Sequence, residues 1–198
     1  TQHFNIMTRT AVIVAWEKFT DIDVYLAWDL LNRIRLRDKE WKVKIVGTEP
    51  IHSSLFGINQ QMHGNIDECK YADVVLFTSG QTTRRLIKDK AYLDRFQLNP
   101  DKQIIASMCS GALLLAALGL LDGLTATTYP TAVKDLQAFG IEVEEKPLVT
   151  HGNIATAAGC LAAIDLVGWI AGKTHGTELM EEVVASVQPV GKGLACIY

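Results

Sequence analysis

Apolar residues along this chain come in two rhythms. Continuous apolar runs at 10–16 (TAVIVAW), 73–77 (DVVLF) and 103–108 (QIIASM) read as strands buried on both faces, the mark of a parallel sheet. The alternating run 42–46 (KVKIV) predicts one more strand. Elsewhere the spacing is helical: Val24, Tyr25, Trp28, Leu30, Leu31 and Ile34 predict a helix over 24–34. Further helices are expected over 82–96, over 110–120 closed by the Leu121-Asp122-Gly123 turn, over 131–139 ending at Gly140, and over 160–171 and 177–186. Short strands are expected at 125–128 and 141–145, and two more in PLVTHGNIATAA, joined by His151-Gly152-Asn153. The stretch 47–71 is loop-rich, with a short hairpin around IHSSLFGI. Strands alternating with helices predict an α/β fold, a doubly wound, mostly parallel sheet with helices on both faces.

Composition narrows the function classes. With 198 residues and 48% hydrophobic content, the chain can bury a stable core, and one domain is expected over 7–198, with residues 1–6 a remnant ahead of a start at Met7. A net charge of −3 and a pI near 5.9 supply no basic field for phosphate contacts, so nucleic acid is not an expected partner. The longest apolar stretch, 112–121, is about half of the roughly 20 residues needed to cross a bilayer, and no secretory leader precedes it. Neither a membrane nor secretion is expected. Cys69, Cys109, Cys160 and Cys196 are scattered without a CxxC pair, which predicts reduced thiols in a cytoplasm and no metal site.

The candidate chemistry centres on SMCSGALLL. A strand ends at Cys109 and a helix starts within one or two residues, with Gly111 permitting close packing, as in a nucleophile elbow that projects its side chain at the carboxyl end of a sheet. At a helix N-terminus the thiol pKa is expected to fall, and the unpaired N–H groups there can stabilise an anion. The other cysteines lack that setting: Cys69 is on a polar loop, Cys160 opens a helix after Gly159, and Cys196 is near the end. Ser110, not histidine, follows Cys109, and His3, His52, His63, His151 and His175 all lie elsewhere. Carboxylates of the loop after the first strand, Glu17 and Asp23, are the better partners, although Asp21 or Asp23 could instead cap the next helix. Asp165, among apolar residues, is expected to be a satisfied structural aspartate. Trp16, Trp28, Trp41 and Trp169 read as core or dimer contacts.

The block 107–130 (SMCSGALLLAALGLLDGLTATTYP) resembles the cysteine elbow, helix, LLDG turn and ATT strand of the ThiJ/PfpI superfamily, and within it the isocyanide (isonitrile) hydratases. IVAWEKFTDIDV is similar to their first strand and aspartate-bearing turn, and HGNIATAAGCLAAIDL to their last strand and helix. The resemblance implies a flavodoxin-like fold, a homodimer, a small-molecule substrate and no cofactor. It implies Cys109 as nucleophile, Asp23 as acid/base, Ser110 keeping a hydroxyl after the cysteine, and backbone N–H groups of Ser110 and Gly80 near the anion. Ser79-Gly80 stands where the family has two glycines, and Tyr129-Pro130 where many hydratases have His-Trp, so Ser79, Gly80, Gly111 and Tyr129 are expected at the substrate or oxyanion pocket. A non-catalytic sensor using an oxidisable Cys109, a hydrolase or glyoxalase of the same superfamily, and a dimeric scaffold with a vestigial pocket are the alternatives.

Overall fold

A computed structural model describes residues 10–197. The readings of residues 1–6, of Met7 as the start and of His3 lie outside the described residues. In chain order, β1 (Thr10–Val14), helix α1 (Asp21–Asn32) and β2 (Lys42–Gly47) form the first unit. The hairpin β3 (Ile51–Ser53) and β4 (Asn59–Gln61) follows, then β5 (Gly64–Asn65) and β6 (Val74–Phe77). Helices α2 (Thr83–Leu86) and α3 (Lys90–Leu93) lead to β7 (Ile104–Met108) and α4 (Ala112–Ala117). Strand β8 (Thr125–Ala126), α5 (Val133–Gln137), β9 (Glu142–Val143), the pair β10 (Leu148–His151) and β11 (Ile154–Ala157), and helices α6 (Ala163–His175) and α7 (Thr177–Ser186) complete the chain.

Seven strands form one sheet in the order β10-β11-β7-β6-β1-β2-β5, with every pairing parallel except β10 with β11. Because strand side chains alternate, β1 sends Ala11 and Ile13 to one face and Val12 and Val14 to the other. The first face packs against Leu30, Leu31, Leu166, Ile170 and Leu179 of α1, α6 and α7; the second packs against Leu113, Leu114 and Leu136 of α4 and α5, with Tyr92 and Phe96. Each such fully buried leucine contributes about 1.5–3 kcal/mol of transfer free energy. This is the doubly wound, flavodoxin-like architecture expected. Among the described residues, no helix is long and apolar enough to cross a membrane.

Local expectations fail where side chains or glycines take the backbone elsewhere. The helical stretch 82–96 breaks into two single turns, α2 and α3, the second recapped by Asp89, whose side chain accepts from Tyr92 N–H at 3.1 Å. The helix over 110–120 ends early, at Ala117, because Gly119 turns at φ 75° just past its C-cap Leu118. Only Thr125 and Ala126 of the TATT run pair, in a separate two-stranded sheet with β9. Thr127 N–H instead donates to Thr156 Oγ1 at 2.9 Å, and Thr128 Oγ1 donates to the Cys109 carbonyl at 2.9 Å. Cys69 is fully buried in a 3-10 turn, Ile66–Tyr71, rather than on a polar loop, because Asn65 and Glu68 close a capping box there. Asp165, read as a satisfied structural aspartate, is exposed, since α6 turns Leu166, Val167 and Ile170 to the core instead.

Candidate active site

Four strands, β1, β6, β7 and β11, end at the same edge of the sheet, and the loops that follow them build one cleft of about 330 Å³. Its lining includes Asp23, Ser79, Gly80, Cys109, Ser110, Tyr129 and Cys160. Six of these come from sequence reading, and the cleft brings them together. A larger hollow of about 800 Å³ shares Tyr129 but holds neither Asp23 nor a thiol.

Cys109 sits at the turn from β7 into the 3-10 turn Cys109–Gly111, with φ at 50°. A non-glycine residue there costs on the order of 1–3 kcal/mol, so the surrounding packing must hold it. Gly111 provides that packing. A Cβ on it would lie 2.0 Å from the Thr78 carbonyl and 2.7 Å from that of Phe77, so only glycine lets the turn seat against the end of β6. Gly111 is not among the cleft-lining residues; its place is behind the cysteine, against the end of β6.

Asp23 lies in the first turn of α1, but its side chain does not cap that helix; the N-cap residue Thr20 makes no side-chain cap bond either. Asp23 is 0% exposed, and its Oδ2 accepts from the Ser79 hydroxyl at 2.6 Å. Its Oδ1 is buried and without a hydrogen-bond partner. A carboxylate oxygen of Asp23, Cys109 Sγ and Cys160 Sγ all lie within 4.8 Å of one another. Ser79, where the resembling family has glycine, therefore orients the carboxylate. The neighbouring Gly80 is obligatory in another way, since a Cβ would meet Trp16 Nε1 at 2.7 Å and the Lys18 carbonyl at 2.9 Å.

The expected low pKa of Cys109 is overturned. Burial pushes the thiol up, the Asp23 carboxylate pushes it further, and the Gly159 backbone pulls back only in part. The magnitudes explain the outcome: a helix end contributes about 0.3–1 kcal/mol, less than one pKa unit, whereas burial moves a group by as much as 3–5 units. Cys109 is 3% exposed, and the α-helix after it is only six residues long. The Cys160 thiol is pushed up to about 11, by burial first and then by Asp23.

The remaining candidates separate cleanly. Glu17 turns away to the hairpin, where its Oε2 lies 3.4 Å from His52 Nδ1 and accepts from Ser53 N–H at 3.2 Å. Asp21 holds the hairpin tip, accepting from the Ser54 hydroxyl at 2.7 Å and from Phe56 N–H at 3.3 Å. His151 lies 2.9 Å from the Thr125 hydroxyl, and His63 stacks on Trp28; neither they nor His52 and His175 line the cleft. Ser110 Oγ is 3.2 Å from Thr83 Oγ1. Sequence reading underrated Cys160 and missed Leu55, Arg84 and Thr131 in the lining. The available signal for Cys160 was Gly159, whose φ of 79° swings the β11–α6 loop across Cys109. Arg84 is fixed at the rim by Asp135 at 2.7 Å and by the Thr131 carbonyl at 2.9 Å.

Known proteins resemble this chain in sequence and in fold. The profile of the DJ-1/PfpI family matches residues 8–171. The chain is 28% identical over 135 residues to an isonitrile hydratase of Pseudomonas putida, covering 68% of this chain and 59% of that protein. It is 32% identical over 95 residues to protein dj-1beta of Drosophila melanogaster, covering 48% and 47%. The matched region thus spans less than two thirds of either relative. In fold, a ThiJ/PfpI family protein from Pseudomonas syringae superposes with a TM-score of 0.79 at 21% identity, over 94% of this chain and 79% of that one.

Proposed function

Since this chain belongs to the DJ-1/PfpI family, we propose that it is a cofactor-independent cysteine enzyme that hydrates an isocyanide to an N-substituted formamide. The observation that carries the reading is the fully buried Asp23, whose unpartnered Oδ1 belongs to a carboxylate beside the Cys109 thiol. Addition to the terminal carbon of an isocyanide needs a nucleophile and a proton at the same atom. A thiol and a carboxylate sharing one proton supply both.

In this reading the resting proton is on sulfur, in keeping with the raised thiol. As substrate enters, the proton passes to Asp23, the thiolate attacks the terminal carbon, and Asp23 returns the proton to that carbon, leaving a thioimidate on Cys109. Water then adds to the same carbon, giving one proton to Asp23 and through it to nitrogen. The C–S bond breaks, the thiol recovers its proton and the formamide leaves. Overall, one isocyanide and one water give one formamide. Backbone N–H groups of Ser110 and Gly80 are assigned to the developing negative charge, with Ser79 positioning Asp23. Tyr129, 43% exposed, and Leu55 offer apolar surface for the substrate's organic group. The resemblance to isonitrile hydratase supports the reaction class. Ser110 and the absence of histidine among the described cleft residues favour it over a cysteine–histidine hydrolase. The same reading takes the acting unit to be a homodimer, which size-exclusion with light scattering measures.

The test is to incubate reduced protein with an aryl isocyanide and follow formamide, beside Cys109→Ala and Asp23→Asn. Turnover lost in both is expected; turnover retained in Cys109→Ala overturns the reading.

A further inference from the structure

Cys160 has no role in the hydration just described, yet it completes a three-sided cluster. Its Sγ, the Cys109 Sγ and an Asp23 oxygen are mutually within 4.8 Å. One Asp23 oxygen is already oriented by the Ser79 hydroxyl, while the other is buried and unpartnered. Among the described residues lining the cleft, the only cation is Arg84, and Asp135 already neutralises it. Two sulfur donors and one carboxylate with an outer-sphere hydroxyl are therefore grouped at the cleft, Asp23 and Cys109 buried and Cys160 half-buried.

We propose that Cys109, Cys160 and Asp23 form a binding site for one thiophilic metal cation of the zinc class, with the fourth position facing the cleft. Donor chemistry selects the class, since two thiolates favour zinc and softer ions, while magnesium and calcium require oxygen shells. Geometry permits it. Zinc–sulfur bonds of about 2.3 Å and zinc–oxygen bonds of about 2.1 Å place tetrahedral donors roughly 3.5–3.8 Å apart, compatible with donor atoms that all lie within 4.8 Å of one another. The Ser79 hydroxyl then acts as the outer partner that keeps the carboxylate aimed. Binding breaks both S–H bonds, forms two metal–sulfur bonds and one metal–oxygen bond, and releases two protons to solvent with no change of oxidation state. An occupied site removes Cys109 as a nucleophile, so the metal acts as a reversible block. The inference concerns the same cleft, but it does not depend on the isocyanide reading, because it is tested by binding.

The experiment is a titration of the reduced full chain with Cd2+, following ultraviolet thiolate-to-cadmium absorption, alongside Cys160→Ser, Asp23→Asn and Cys196→Ser. Saturation at one equivalent is expected, unchanged in Cys196→Ser and not competed by excess Mg2+. Cys160→Ser is expected to lose about half the absorption and, like Asp23→Asn, to bind about tenfold or more weakly. Unaltered binding in Cys160→Ser, or absorption that disappears with Cys196, overturns the proposal. Should a variant lose its circular dichroism, the unsubstituted protein decides. One equivalent of Zn2+ is expected to shield Cys160 from N-ethylmaleimide, and equal labelling with and without Zn2+ contradicts the site.

Discussion

Two regions of this molecule each bury a cysteine and raise its thiol, and they differ in backbone conformation and in the polar groups around the sulfur. Cys69 lies in a regular 3-10 turn closed by a capping box, and Gln103 Nε2 donates to its carbonyl at 2.8 Å and to that of Ala72 at 2.7 Å. Its thiol, pushed up to about 12 by burial, has no unpartnered carboxylate beside it. Cys109 sits at a φ of 50°, with a second thiol and a buried, half-satisfied carboxylate within 4.8 Å. Burial alone therefore does not mark a cysteine as a candidate nucleophile. What separates them is backbone strain and a half-satisfied carboxylate beside the thiol; the buried group without a partner near Cys69 is the Tyr92 hydroxyl, not a carboxylate.

The largest effect expected from this contrast is on turnover. Cys109→Ala is expected to lower formamide production by at least about 10⁴-fold, while Cys69→Ala leaves kcat unchanged and costs about 1 kcal/mol in a urea melt. Next, Asp23→Asn is expected to lower kcat by about 10²–10⁴-fold. Its alkylation behaviour moves the opposite way. Removing the negative charge that raises the Cys109 thiol increases the thiolate fraction, so iodoacetamide at pH 8 reacts faster with Cys109 in Asp23→Asn than in the parent. Slower alkylation in that variant contradicts the proposed proton sharing.

A smaller effect tests the strain itself. Cys109→Gly is expected to be more stable than Cys109→Ala by about 1 kcal/mol, because glycine adopts positive φ freely, whereas Cys69→Gly is less stable than Cys69→Ala. Urea midpoints of the four variants measure both differences. A further effect, confined to alkaline solution, is on the pH dependence of stability. The Cys69 thiol keeps its proton in the folded state to about pH 12, whereas its ordinary value is 9.0. Between these values the unfolded chain loses a proton that the folded chain retains, so stability is full below about pH 9 and falls as pH rises toward 12. Cys69→Ala is expected to flatten that alkaline decline.

The sheet was legible because continuous β-branched runs such as AVIV and VVLF state their own burial on both faces. The elbow was legible because a strand, a cysteine and a small-residue helix follow one another without a spacer. Cys160 was not, since its approach to Cys109 depends on Gly159 adopting a φ of 79° in a loop about 50 residues downstream, and sequence separation carries no such distance. The direction of the Cys109 pKa was misread for a related reason. The helix N-terminus is visible in a local pattern, but the burial and the Asp23 charge that outweigh it arise only from tertiary contacts. Asp165 shows the converse: its apolar neighbours in sequence point to the core from the other side of α6.

The most direct test is rapid quenching of the protein with an aryl isocyanide in the steady state, followed by intact mass and peptide mapping. A transient adduct equal to the whole mass of the isocyanide, on Cys109 and absent from Cys69, is the expected result. Formamide turnover with no adduct on Cys109, or an adduct that forms as readily on Cys69, would contradict the assignment of Cys109 as the nucleophile.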